Sequence, residues 1–223
     1  MRLESPEIAS AARPGQFVHV EAPGRTLRRA FSISGSDGDS HISIVFRVYG
    51  HGTGAISRVA RGESVDILGP LGRGFPDPSG PPLFVAGGLG AAPLSFMASA
   101  TSGGMFLYGA MKECEFIPDD LLSAGNHRLI KVCQEKTGTL VTEKVKDHLA
   151  GAGQVYAAGP RPMLKRLTEV CSGRVKTYVS WEEAMGCGTG LCQGCPVKTA
   201  TGYMMTCSDG PVFNADEIDW DAC

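Results

Sequence analysis

The spacing of apolar positions changes character twice along the chain. Phe17-Val18-His19-Val20, Ala30-Phe31-Ser32-Ile33-Ser34, His41 to Val48 and Val65-Asp66-Ile67-Leu68 are short β-prone runs separated by glycine, proline and aspartate turns. Such runs predict a small antiparallel barrel or sandwich over residues 1–78. Pro78-Ser79-Gly80-Pro81-Pro82 then reads as a linker. Over residues 79–179 strand and helix signals alternate. Leu83 to Ala86 reads as a buried strand, followed by a Gly-rich turn and an apolar helix from about Ala92 to Ala100. Met105 to Tyr108, Leu129 to Val132, Val155 to Ala158 and Val175 to Val179 are further strands. Val141, Val145 and Leu149 form one helical stripe ending at Gly151, and Pro162 opens a helix whose apolar face is Met163, Leu164, Leu167, Val170 and Cys171. The expected fold is therefore β plus α/β: an antiparallel barrel, then a parallel sheet with helices on both faces and its ligand crevice at the carboxyl ends of the strands. Residues 180–223 lose all periodicity and become rich in cysteine and glycine. So short a segment cannot bury enough apolar surface to order itself, which predicts a staple such as a metal centre.

Charge narrows the possible partners. Lys plus Arg number 21 against 23 Asp plus Glu, a net charge of −2 with no basic concentration, so no nucleic-acid partner is expected. Leu83 to Met111 carries no charged residue, but six glycines and Pro93 interrupt it, which argues against a membrane span. The amino terminus has no apolar signal core, and a cytoplasmic protein is expected. Glycine, at 30 of 223 residues, is about twice its usual share. With apolar content normal, that excess implies tight turns and backbone lying close to ligands.

The most specific signal lies among the eight cysteines. Cys114, Cys133 and Cys171 are scattered and read as buried single thiols, and Cys223 as a bystander. Cys187-Gly-Thr-Gly-Leu-Cys192-Gln-Gly-Cys195, followed by Cys207, has the C-x4-C-x2-C…C spacing of plant-type [2Fe–2S] ligation. Four thiolates must converge there under backbone N–H groups, and Gly188, Gly190 and Gly194 permit the required bends. A four-cysteine zinc site, usually two C-x2-C pairs, and two disulfides are the alternatives.

Weaker signals concern nucleotides. Arg29-Ala30-Phe31-Ser32-Ile33-Ser34 places a guanidinium, a ring and hydroxyls on one strand, with Arg29, Phe31 and Ile33 sharing a face. Arg47-Val-Tyr-Gly50-His-Gly52-Thr53-Gly54 adds an arginine and a turn able to offer N–H groups to phosphate; its bland reading is a glycine hairpin with His51 an exposed turn residue. Val85-Ala86-Gly87-Gly88-Leu89-Gly90-Ala91-Ala92-Pro93 closes a strand and opens a helix, as does Tyr156-Ala157-Ala158-Gly159-Pro160-Arg161-Pro162-Met163. Each could be an ordinary strand-to-helix connection. Glu113 and Glu115, about 20 residues past the first turn, sit beside Lys112, which leaves a ribose role ambiguous.

Taken in order, these motifs resemble the ferredoxin-reductase superfamily, and within it the iron–sulfur electron-transfer subunits of class 1B dihydroorotate dehydrogenases. Pro14-Gly15-Gln16-Phe17-Val18, Leu27 to Ser34, Gly69-Pro70-Leu71-Gly72-Arg73-Gly74-Phe75, Ser180-Trp181-Glu182-Glu183 and Gly210-Pro211-Val212-Phe213 carry the resemblance beside the cysteine loop. It implies FAD held through Arg29, Ala30, Phe31, Ser32, Val45, Phe46, Arg47, Gly52 and Thr53. It implies NAD contacted by Gly87, Gly88, Gly90, Gly159 and Pro160, and a [2Fe–2S] cluster on Cys187, Cys192, Cys195 and Cys207. It further implies an FMN-containing catalytic subunit that oxidises dihydroorotate, in a heterotetramer serving pyrimidine biosynthesis, with no catalytic acid or base on this chain. Related reductase subunits of ferredoxin:NAD(P) or hydrogenase complexes, an isolated diaphorase, and a zinc-stapled non-enzymatic module are the rivals. Ala30 stands where the family often has proline and Ala158 where it often has cysteine; the interval from Cys195 to Cys207 is short. The chain also starts late, so the first barrel strand is expected to be abbreviated or missing.

Overall fold

A computed structural model describes residues 1–222; Cys223 lies outside the described residues. Two sheets carry the fold. Strands β1 (Arg2–Glu4), β2 (Phe17–Val20), β3 (Arg29–Ser36), β4 (His41–Ile44) and β5 (Ile67–Leu71) form an antiparallel sheet in the order β1-β4-β3-β2-β5. The first strand is present but only three residues long. Residues 1–78 are not wholly β. Helix α1 (Pro6–Ala11) begins at Pro6, whose ring suits a first helical position. Helix α2 (His51–Ile56) takes the place of the expected Gly-rich turn, and β4 stops at Ile44, short of Val48. His51 is exposed, as expected, but opens that helix.

The β3–β4 turn is tied by Asp37, whose carboxylate accepts backbone N–H groups of His41 and Ser40, both at 2.9 Å, and of Asp39 at 3.1 Å. These donors, His41 first, hold Asp37 well below the usual carboxylate range. A depressed folded-state pKa gives stability that is fully present above the ordinary value of 3.8 and is lost as pH falls through the folded value. Asp37→Asn is therefore expected to lower Tm at neutral pH, with the gap closing below about pH 4; a constant gap across a Tm–pH series would contradict this.

The second sheet contains β6 (Pro82–Gly87), β7 (Ser102–Ala110), β8 (Asn126–Cys133), β9 (Gln154–Ala158) and β10 (Lys176–Ser180), all parallel. A short hairpin of β11 (Pro196–Thr199) and β12 (Gly202–Met205) stands apart, and β13 (Val212–Asn214) runs antiparallel to β10 at the sheet edge. The cysteine-rich tail is thus more ordered than its sequence implies. It donates an edge strand, and Trp181, Phe213, Ala215 and Ile218 join the main core. No helix of the described residues is long and apolar enough to cross a membrane.

Strand alternation assigns the two faces of β6. Leu83 and Val85 pack with helices α5 (Val141–Val145) and α6 (Arg161–Cys171), while Phe84 and Ala86 pack with α3 (Ala91–Ser99). Between β8 and α5, the one-turn helix α4 (Gln134–Thr137) ends at left-handed Gly138. Helix α3 carries no charged residue and is buried from Ala91 to Ala98, Ser95 included, which requires cover on all sides. It receives that cover by lying between the sheets: Leu94, Met97 and Ala98 face β6 and β9, and Phe96 enters the barrel core with Ile33 and Ile44. The charge-free stretch from Leu83 to Met111 is this strand–helix–strand unit, buried except around residues 99–103 and at Met111.

Strand β2 is buried on both faces. Val18 and Val20 point into the barrel core, and Phe17 packs with Cys195 and Cys207. A barrel strand would normally leave one face to solvent; here the cysteine segment covers it.

Candidate functional site

Between the sheets lies a cavity of about 260 Å³. From the barrel it is lined by Ala30, Phe31 and Ser32 of β3, by Val45, Phe46 and Arg47, and by Thr53 of α2. Phe31 and Phe46 pack with ring centres 4.8 Å apart. The opposite wall is Leu89, Ala92 and Pro93 at the start of α3, with Ser180 to Glu183 and Met185 after β10. Arg161, at the start of α6, fixes that strap: its guanidinium lies 4.7 Å from the Trp181 ring centre, pairs with the Glu183 carboxylate and donates to the Glu182 carbonyl. Arg29 and Gly52 lie off the cavity but against each other. A Cβ on Gly52 would come within 2.4 Å of the Arg29 guanidinium, which donates to the carbonyls of Leu27 and Arg28. Aromatic walls, a hydroxyl and guanidinium groups fit a flavin with its phosphates.

A second cavity, about 320 Å³, opens at the carboxyl ends of β6, β7 and β8. Gly87, Gly88 and Pro160 line it, together with Met111, Glu115, Gln134 and the Thr139-Leu140-Val141-Thr142 run at the start of α5. Gly90 and Gly159 do not line it; they let two strand-to-helix turns touch. A Cβ on Gly90 would sit 2.1 Å from the Ala158 carbonyl oxygen, and one on Gly159 3.0 Å from the Gly87 nitrogen. Neighbouring turns of this kind at the ends of parallel strands suit a dinucleotide. The two acids differ in place: Glu115 lines the cavity, its carboxylate accepting the N–H of Met111 at 3.1 Å, whereas Glu113 pairs with Lys136 at 3.0 Å. Arg47 donates to the Glu115 carbonyl at 3.2 Å and so links the two cavities.

The cysteine loop lies on the outer face of β2. Cys187 is half-buried, Cys192 exposed, and Cys195 and Cys207 buried. Every cysteine among the described residues is free of a disulfide, and Cys114, expected to be buried, is exposed. Backbone N–H groups aim at three of the sulfurs. Cys192 and Thr189 donate to Cys187 Sγ at 3.4 Å, Gly190 to Cys207 Sγ at 3.1 Å, and Cys207 to Cys195 Sγ at 3.4 Å. The donors at Cys187 pull its thiol down to about 6, with the Cys192 N–H the largest influence. Burial pushes Cys207 up to about 12, reinforced by the neighbouring Cys195. Among the described residues no three Cys, His, Asp or Glu side chains close on a single metal-sized point. The donor chemistry nonetheless fits an iron–sulfur centre: soft thiols on one glycine-rich loop, with N–H groups directed at sulfur.

Phe17 and Met185 belong to both regions, lining the first cavity and packing on Cys195 and Cys207. Neither was singled out for a role by the sequence; Phe17 lay within the Pro14–Val18 motif and Met185 in no motif. Leu89 and Pro93 lay within the first glycine turn and Ser180 to Glu183 within a recognised motif, but the Thr139–Thr142 run carries no motif at all. His19, on the same strand as Phe17, is fully buried, and neither ring nitrogen has a hydrogen-bond partner. Burial, and secondarily the charge of Arg28, lowers its pKa.

Comparison with known proteins places this geometry. The oxidoreductase FAD-binding domain model matches residues 1–75, and the iron–sulfur cluster binding domain of dihydroorotate dehydrogenase B matches residues 182–219. The electron transfer subunit of dihydroorotate dehydrogenase B (NAD(+)) from Geobacillus thermodenitrificans is 34% identical, with 98% of this chain and 91% of that protein covered. The Bacillus caldolyticus subunit is 35% identical over 95% of this chain and 88% of its own length. A chain of an NADH-dependent reduced ferredoxin-NADP oxidoreductase superposes with a TM-score of 0.86 at 27% identity, covering 99% of this chain and 84% of that one. With both domain models in order and relatives above 30% identity along nearly its full length, the chain belongs to the family of dihydroorotate dehydrogenase B (NAD(+)) electron transfer subunits.

Proposed function

We propose that this chain carries electrons between a dihydroorotate-oxidising, FMN-containing partner and NAD, in a cytoplasmic heterotetramer serving pyrimidine synthesis. Residues 1–78 hold FAD, residues 79–179 hold NAD, and Cys187, Cys192, Cys195 and Cys207 in residues 180–223 hold a [2Fe–2S] cluster. A flavin exchanges one electron or two, and so joins a one-electron iron–sulfur centre to a two-electron nicotinamide. The chain itself places these groups. Ala30 to Ser32 and Val45 to Arg47 seat the flavin ring, with Arg29, Gly52 and Thr53 toward its phosphates. Gly87, Gly88 and Pro160 leave room for the dinucleotide, while Gly90 and Gly159 bring the two turns together.

The observation that carries this reading is the wall shared by the flavin cavity and the cysteines, Phe17 with Met185. It keeps the two redox sites within one side-chain layer and excludes water between them. Anaerobic co-expression with the partner tests the reading: dihydroorotate should reduce NAD only in the assembled complex, with iron, sulfide and flavin all present. A complex that dihydroorotate fails to reduce, but that exchanges electrons with ferredoxin, would replace this function by that of the structural relative. Phe17→Leu is expected to cost only about 1 kcal/mol of stability and to keep both cofactors, yet to slow cluster–flavin exchange several-fold in rapid mixing. An unchanged rate would remove Phe17 from the path.

A further inference from the structure

His19 occupies an unusual position on β2. Its ring is wholly excluded from solvent, and both nitrogens lie without a hydrogen-bond partner among the described residues. A buried polar group left unsatisfied destabilises the fold, and an apolar residue of similar shape would avoid that cost. The ring is also pressed against one particular point. A Cβ on Gly188 would lie 2.8 Å from His19 Cε1, 2.9 Å from Nδ1 and 3.1 Å from Cγ, so the face of the ring lies against the loop at the residue following Cys187 and its nitrogens are directed alongside the loop. Gly188 is buried there with φ +76°, a conformation that side chains rarely adopt. On the same strand the Phe17 ring, 5.7 Å from the imidazole, packs on Cys195 and Cys207. The imidazole therefore stands at the inner side of the cysteine loop, among the residues that contact it from the barrel.

We propose that His19 is a positioning residue that donates its ring N–H to sulfur of the iron–sulfur centre held by the Cys187 loop. This inference rests on the loop holding such a centre. Hydrogen bonds to cluster or thiolate sulfur stabilise the more negative, reduced form and raise the reduction potential. His19 thus sets the potential from the flavin domain's side, so that strand β2 both carries the wall to the flavin cavity and tunes the centre beyond it.

The test uses the assembled complex bearing His19→Phe, which keeps a ring without a donor, and His19→Gln, which keeps a donor. Iron and acid-labile sulfide are counted first, and cluster potentials are then read by redox titration monitored by electron paramagnetic resonance. In His19→Phe the reduction equilibrium should shift about tenfold toward the oxidised form, 59 mV for a one-electron couple, and His19→Gln should recover part of it. Wild-type protein grown with ¹⁵N-imidazole histidine should show weak nitrogen coupling to the reduced centre in pulsed spectra, and His19→Gln should lose it. An unchanged potential in a fully loaded His19→Phe complex would overturn the proposal. Should that variant fail to load, absence of the nitrogen coupling in wild type would overturn it instead. Wild-type complex lacking iron and sulfide would show that the loop holds no cluster, and the role of His19 would fall with it.

Discussion

Cys207→Ser is expected to abolish the iron–sulfur absorption and lower dihydroorotate-dependent NAD reduction at least a hundredfold. Even residues behind a metal's ligands typically cost about 10–100-fold in affinity or activity when lost, and Cys207 is proposed as a ligand. Its sulfur is buried, accepts the Gly190 N–H and sits under Phe17. Serine is close in size, so the expected loss arises from the donor atom and not from packing. Neither cavity is lined by Cys207. NADH oxidation with an artificial dye should therefore persist in the variant, separating loss of the relay from loss of the flavin. Cys114→Ser, at an exposed thiol outside the loop, provides the control. Wild-type rates in Cys207→Ser, with flavin retained, would contradict the ligand assignment.

Gly90→Ala should be among the most destabilising single-methyl changes in the chain. The new Cβ would lie 2.1 Å from the Ala158 carbonyl oxygen and 2.6 Å from the Gly159 nitrogen. Both are backbone atoms at the end of a central strand and cannot swing aside as a flexible side chain could. Overpacking of this kind costs on the order of 3 kcal/mol, roughly 6–12 °C in Tm for a chain of this length. The two turns must separate to relieve it, so NADH binding should weaken in parallel. Gly151→Ala, where a Cβ meets nothing within 4 Å, should leave both melting and NADH binding nearly unchanged. Equal melting temperatures for the two variants would show that the turns are not packed as described.

Much of this architecture is legible in local pattern because its strands and helices carry strong periodic signals. β2 and the buried core of β6 are set by runs that can only be strands, and α6 by a proline start and a single apolar face. What local pattern misses depends on distant contacts. Residues 51–56 are glycine-rich and read as a turn, yet become a helix where Thr53 accepts the N–H groups of Tyr49 and Gly50. Residues 212–214 are too few to announce a strand and become one only because the edge of β10 is available. The site divides in the same way. The cysteine spacing is chemical information written locally, whereas Phe17, Met185 and His19 matter only because the tail folds back onto β2. No window of sequence contains that encounter.

Helix α3 has a consequence for the independence of the parts. Phe96 fills the barrel interior while its neighbours Leu94 and Met97 fill the sheet. Neither half can be excised without leaving the other with an open greasy hole, so the barrel and the parallel sheet are not interchangeable cassettes. A swap between relatives must carry this helix and both surfaces it seals.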